Sequence, residues 1–437
     1  MCKSYSYTDN ILIPEYFVLS SSSLPLSPRR LLLEIFSSLI LEKSVYYSWL
    51  IIKWSNYREE PLSSVVFILG AGASKQCGAP LMADFLDVAS HLFRSGATED
   101  KKSDFERAFR AIGALQVVHS KAQLDLTNIE SIFTALEVAN VLGKLPDTET
   151  AEIPKVIASL KEVIVKTLEL TINFPTSKSH IGVPPPYEQF AGLLTYLRGD
   201  AFPTHTTSVI TFNYDIAVDM ALFRAGLGPD YGIPPGSQSH RTVPLLKLHG
   251  SLNWASREDN GEVCPMLLEQ YFSKYSIPGF KERSTCKAPV GSQLKEYFSK
   301  HTEIKVAAEP VIVPPTWNKA EHHQALSKVW ANAALQLGEA EYIFIVGYSL
   351  PETDAFFRLL YALGTVGKNP LQKIIIYNPD TSGQVDARFK SMLGPGAVAR
   401  YEYKPKTFQD AIPNQSLHWN AQRQRVAELR IIVSFNV

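Results

Sequence analysis

An α/β fold built on a Rossmann-like parallel sheet is what this sequence predicts, and three observations predict it. A five-residue apolar run, Val65 to Leu69, feeds directly into the turn Gly70-Ala71-Gly72-Ala73-Ser74. Four further apolar runs end in short polar clusters: Thr211-Phe212-Asn213-Tyr214-Asp215, Lys247-Leu248-His249-Gly250-Ser251, Val346-Gly347-Tyr348-Ser349-Leu350-Pro351 and Tyr377-Asn378-Pro379-Asp380. Between them lie stretches with apolar residues three and four apart, the spacing of helices. Continuous apolar runs suit strands covered on both faces, and polar groups at the carboxyl ends of parallel neighbours gather into one site.

The first sixty residues are set apart. Ser20 to Ser23 and Pro25-Leu26-Ser27-Pro28 read as a low-complexity linker, and Glu34, Glu42 and Lys43 interrupt the apolar stretch from Leu31 to Trp54. A membrane span needs about 18 nearly unbroken apolar residues, so none is expected. Nor does a compact apolar core with a cleavage site follow Arg29-Arg30, as a signal peptide requires. We read 1–60 as an N-terminal extension, 61–405 as one domain and 406–437 as a tail packed on it.

Within the domain, Gly70 and Gly72 have no Cβ, so the backbone can turn tightly and bring N–H groups against an anion at a helix N-terminus. The turn is therefore expected to cradle the phosphates of a dinucleotide, although the third glycine of the usual fingerprint is displaced to Gly78. Cys77 beside it is expected to be exposed. Helical spacing follows from Leu81 to Phe93 and, through Phe105, Phe109, Ile112 and Leu115, over 104–171, giving a helical insertion at about 95–185. Asn128 either caps the helix that begins beside it or, with Glu130, leans toward a ribose. Pro184-Pro185-Pro186 removes three donors, so 176–186 reads as neither helix nor central strand. Tyr187 to Leu197 reads as a helix and Ser208 to Phe212, rich in β-branched residues, as a buried strand. A cover segment of about 255–308 mixes Tyr271, Phe272, Tyr275 and Phe298 with lysines.

Composition narrows the classes. The 43 basic and 43 acidic residues of the 437 cancel, so no bulk field draws the chain to nucleic acid or anionic lipid. The four cysteines, Cys2, Cys77, Cys264 and Cys286, form no CxxC pair, which excludes a ribbon-type zinc site and suits reduced thiols in the cytoplasm. Adjacent His322 and His323 point to different faces of a helix and make a poor metal pair. No metal is expected.

Taken in order, these motifs resemble the sirtuin-like NAD-consuming enzymes. Gly70 to Ser74, then Gly78-Ala79-Pro80, follow that family's glycine turn; Thr211 to Asp215 resembles its Thr-Gln-Asn-hydrophobic-Asp motif, His249-Gly250 its His-Gly pair, and Gly347-Tyr348-Ser349 its Gly-Thr-Ser. Lys247 to Ser251, Pro314 to Lys319 and Gly347 to Asp354 are worded most like the sirtuin-like domains of bacterial antiphage defence systems. The resemblance covers roughly residues 64–405. Two departures stand out. Three residues separate Pro80 from Asp84-Phe85, with no arginine after them, and the zinc ribbon that helps form a deacylase's acyl-lysine cleft is missing.

The resemblance implies NAD as substrate and Asn213 and His249 as the catalytic pair. Cleaving nicotinamide from ribose passes through an oxocarbenium-like state, which needs an oriented ribose and a placed nucleophile. An asparagine can hold a hydroxyl and a water at once, and a neutral imidazole can take a proton. Gly70, Ala71, Gly72, Ser74, Pro80 and Asp84 would hold the dinucleotide, with Ser74 donating to a phosphate. Asp215 would orient Asn213 or cap a helix, Gly347 and Ser349 would approach the adenosine ribose and pyrophosphate, and Asn378 would hold the adenine-side ribose. Asp354 reads as a helix cap, and Lys247 as a phosphate partner or a solvated lysine. The expected activity is NAD hydrolysis in antiphage defence, with protein deacylation or ADP-ribosyl transfer, and non-catalytic sensing of NAD or an ADP-ribose derivative, as alternatives. A homo-oligomer and a separately encoded defence partner, such as an ATPase or a phage trigger, are implied as well.

Overall fold

The structure is a computed structural model that describes residues 65–412 except 118–123, 178–179, 199–205, 234–241, 267, 269–270, 272–284, 288–291, 303, 314–319, 352–353 and 368. The extension 1–60, the segment 314–319 and most of the tail lie outside the described residues, as do the side chains of His322 and His323.

Seven strands form one parallel sheet: β1 (Val65–Leu69), β2 (Thr207–Thr211), β3 (Gly228–Asp230), β4 (Thr242–Lys247), β5 (Tyr342–Val346), β6 (Lys373–Tyr377) and β7 (Tyr401–Lys404), in the spatial order β7-β6-β5-β1-β2-β4-β3. Every neighbouring pair runs parallel. Central β1 and β2 are buried at every residue; β1 accordingly reads as an unbroken apolar run, whereas β2 is Thr-Ser-Val-Ile-Thr. The chain grows from β1 toward β2 and β4, then crosses back to place β5 on the other flank of β1. That reversal opens a crevice above the carboxyl ends of β1 and β5, where open α/β sheets bind ligands.

Helices follow at Phe85–Arg94 and, within the stretch expected as a helical insertion, at Lys102–Gln116, Ile129–Leu142 and Ile153–Thr171. The first begins at Phe85 rather than Leu81, after the turn that holds Pro80. Residues 176–186 depart from expectation. Phe174–Ser177 and His180–Ile181 pair as a short antiparallel hairpin away from the main sheet, and the next helix already starts at Pro185. Pro185 and Pro186 fill its first turn, where N–H groups have no helical partner to lose. In the cover, Gly250–Arg257 pairs antiparallel with both Val306–Ile312 and Val263–Pro265. Its first residue must be glycine: φ is +84°, and a Cβ at Gly250 would stand 2.0 Å from the Val311 carbonyl oxygen.

Candidate active site

One cavity of about 720 Å³ lies over the carboxyl ends of the sheet, within the range of small-molecule sites. Asn213 from the end of β2 and His249 from the end of β4 both line it, as do Ala71, Gly72, Ser74, Pro80, Asp215, Gly347, Ser349 and Asn378. Gly70 and Asp84 are not on its wall. Gly70 instead carries the closure above β1: a Cβ there would lie 2.6 Å from the Tyr348 Cα.

The two glycine turns fit each other. Gly347 has φ of +64°, and a Cβ on it would lie 2.3 Å from the Ala73 nitrogen. Gly70 N–H donates to Val346 O (3.0 Å) and Gly72 N–H to Gly347 O (2.8 Å), while Ala73 N–H donates to Gly70 O (2.9 Å). These amides were expected to face an anion, and they are spent on holding β1 and β5 turns together. Ala71, first in its helical turn, has no acceptor within the helix for its N–H. Gly347→Ala is expected to cost roughly 2 kcal/mol or more, from left-handed strain plus the clash. A melting curve superimposable on that of the unmodified chain would contradict this.

A buried chain of side chains orients Asn213. Its Nδ2 donates to Gly70 O and to Ser74 Oγ, each at 3.0 Å. Ser74 in turn donates to Asp215 Oδ2 at 2.6 Å and lies 2.7 Å from the Tyr187 hydroxyl. Asp215 Oδ1 accepts from Ala217 N–H at the first residue of the helix Ala217–Arg224, whose N-cap is Ile216, and Asp215 reaches Asn213 through Ser74. Burial pushes its carboxyl above the ordinary range, against the lowering pull of Ser74 and Lys247. Two expectations are corrected here. The Ser74 hydroxyl has its one proton committed to Asp215, which leaves none for a phosphate, and both N–H groups of Asn213 are committed, which leaves its Oδ1 as the group that can accept from a hydroxyl or water. Ser74→Ala is expected to lower kcat more than it raises KM, because it loosens the amide without removing a ligand contact; an unchanged kcat would exclude this positioning role.

Aromatic rings frame the imidazole of His249, which is buried. Phe212 meets it edge-on at 5.2 Å and stacks on Tyr348 at 4.2 Å and 10°, bridging the ends of β2 and β5. The Val313 N–H donates to His249 O at 2.8 Å, and Gly250 turns the chain away behind it. Tyr348 donates to Asp354, whose other oxygen caps the helix Ala355–Gly364 by accepting from Phe357 N–H. Leu350, in the same loop, holds φ of +50° although it is fully buried. Asn378 ties β6 to this loop through Nδ2 to Tyr348 O at 3.3 Å, and its Oδ1 accepts from Asp380 N–H. Asn128 does cap its helix, accepting from Glu130 N–H at 2.9 Å, and both residues line the cavity.

Lys247 is neither phosphate partner nor solvated. It is 1% exposed, and its Nζ donates to Asp219 Oδ2 (2.9 Å), Asp215 O (2.6 Å) and Ser251 Oγ (2.6 Å). Cys77 is buried as well, because Asn173 and the helix Ile153–Thr171 close over its turn, with Asn173 N–H donating to Cys77 O at 2.7 Å. Burial, with Asp215 nearby, pushes its thiol far up. The native protein is therefore expected to leave Cys77 unalkylated by iodoacetamide at pH 8, as peptide mass mapping would report.

Several residues escaped the sequence reading: Tyr187, buried behind Ser74, and on the wall Lys75 of the first turn and Arg388 and Lys406 beyond the ends of β6 and β7. Tyr348 was visible inside a motif, but nothing in the local pattern marks Arg388 or Lys406. Among the described residues, no group of three or more His, Cys, Asp or Glu could hold a metal ion, and no helix is long and apolar enough to cross a membrane.

No protein-family model matches the chain, and no curated protein matches it. Solved structures do. A Sir2 homologue in complex with NAD aligns at 14% identity over 82% of this chain and 90% of that one, with a TM-score of 0.37. A mutant Sir2 homologue with ADP-ribose aligns at 14% identity over 84% and 93%, with a TM-score of 0.35. Sir2Tm bound to a propionylated peptide aligns at 13% identity over 86% and 99%, with a TM-score of 0.33.

Proposed function

We propose that the protein hydrolyses NAD to nicotinamide and ADP-ribose. The observation that carries this reading is the convergence of Asn213 and His249, 36 positions apart in sequence, on the wall of the cavity that the glycine turn also lines. In the proposed reaction the bond from C1′ of ribose to the nicotinamide nitrogen breaks, and its electron pair leaves with the ring. Water adds its oxygen to C1′ and gives up a proton. Asn213 Oδ1 accepts from that water or from a ribose hydroxyl, and the imidazole of His249 is the base within the same cavity. The buried aromatic wall of Phe212 and Tyr348 keeps bulk water from the cationic state.

Hydrolysis is favoured over deacylation by cysteine spacing, since no ribbon can build the acyl-lysine cleft. The motif wording favours a role in antiphage defence through NAD depletion, in the cytoplasm, by a homo-oligomer answering a phage trigger or a defence partner. The test is nicotinamide release from NAD alone, repeated across protein concentrations. Release that requires an acylated peptide would replace hydrolysis with deacylation, and tight NAD binding without release would replace it with sensing.

A further inference from the structure

The proposed dinucleotide site has a second charged region whose position can be measured in strands. Its reacting end lies over β2 and β4, and the glycine turn with Lys75 over β1. Neighbouring strands lie about 4.8 Å apart, so the ends of β6 and β7 stand roughly 10 and 14 Å beyond the turn, on the side away from Asn213. Asn378 lines the cavity there, and so do Arg388 and Lys406. The backbone beneath both cations is set by the fold, and Arg388 Nε donates to Gln384 O at 3.4 Å. Arg388 sits on the helix Gln384–Met392, which Tyr401 of β7 anchors through its hydroxyl to Asp386 (2.7 Å). Lys406 follows β7, its N–H donating to Lys404 O (2.8 Å).

A carboxylate that holds the ribose 2′-hydroxyl selects NAD, whereas an arginine accommodates the 2′-phosphate of NADP. The carboxylate at the end of β6 is Asp380, and it is spoken for: Oδ1 accepts from Ser382 N–H and Oγ, and Oδ2 from Val385 N–H at the start of the helix. Asp380 is not on the cavity wall, although Arg388 is close enough to pull its carboxyl further down, behind the larger effect of those hydrogen bonds. Among the described residues, the cavity wall at the ends of β6 and β7 thus carries an arginine and a lysine and no carboxylate.

We infer that the adenosine end of the cavity takes a ribose bearing a 2′-phosphate, so that the preferred substrate is NADP. This rests on the dinucleotide reading of the site and refines it. Calorimetry with ADP-ribose and with ADP-ribose 2′-phosphate tests the two ideas separately. The unmodified protein is expected to bind the 2′-phosphate compound about tenfold tighter or more, as charge-assisted contacts to a phosphate warrant, and to show the same ratio in kcat/KM for nicotinamide release from NADP over NAD. Arg388→Gln and Lys406→Gln should each shrink the ratio, and the double variant should bring it near one. Equal or tighter binding of plain ADP-ribose overturns the inference and leaves the dinucleotide reading standing. A ratio that survives the double variant overturns the assignment to these residues. Failure to bind either compound overturns both.

Discussion

Replacing His249 with alanine is expected to lower the rate of nicotinamide release by roughly 10²–10⁴, the usual worth of a positioned base, while ADP-ribose still binds. Asn213→Ala should fall as far or further in kcat. It loses the only group of that side chain able to accept from a nucleophile, and it takes one donor from the Gly70 carbonyl and one from the Ser74 hydroxyl, which keep Ala73 N–H and the Asp215 and Tyr187 contacts. The measurement is single-turnover release with saturating substrate, which separates chemistry from binding. Loss of ADP-ribose binding in parallel with rate would assign these residues to the scaffold instead. A rate within threefold of the unmodified chain would remove them from the chemistry.

Lys247→Ala is expected to be the most destabilising single change outside the cavity, by about 3–5 kcal/mol, the cost of leaving a buried charge unpaired. Lys247 and Asp219 each have a side chain 1% exposed, and among the described residues the Asp219 carboxylate has the Tyr231 hydroxyl as its one further side-chain partner. A shape-matched apolar pair, Lys247→Met with Asp219→Leu, should recover much of that loss, because both charges then leave together. Denaturant unfolding of the single and paired variants gives the comparison. A single variant within about 1 kcal/mol of the parent would mean that water reaches the pair.

The sheet was legible because its strands are short apolar runs that end in polar clusters. All five such runs are parallel neighbours in one sheet. The two missed strands sit at the edges, where burial no longer writes the pattern: β3 is Gly-Pro-Asp, and β7 is the half-buried Tyr-Glu-Tyr-Lys. At the site, residue types were legible and hydrogen-bond valence was not. Ser74, Asn213 and the Gly70 and Gly72 amides each look like ligand donors in one dimension. Their protons are assigned to partners as far apart in sequence as Gly70 and Val346, and sequence spacing holds no information about who takes a proton. Lys247 and Cys77 were misread for a related reason, since each is enclosed by residues distant in sequence.

Consider last the stretch after β7. Lys406, Thr407 and Phe408 close one side of the cavity. Phe408 lodges against Tyr187 and Phe190, and Gln409 exchanges two hydrogen bonds with Gln76, 333 positions earlier. Translation proceeds from the N-terminus, so this wall is made after every described strand. A nascent chain can form the glycine turn, Asn213 and His249 long before it owns a complete enclosure. Closure of the cavity thus waits on a segment made long after the glycine turn, and a product truncated before Lys406 would lack that wall.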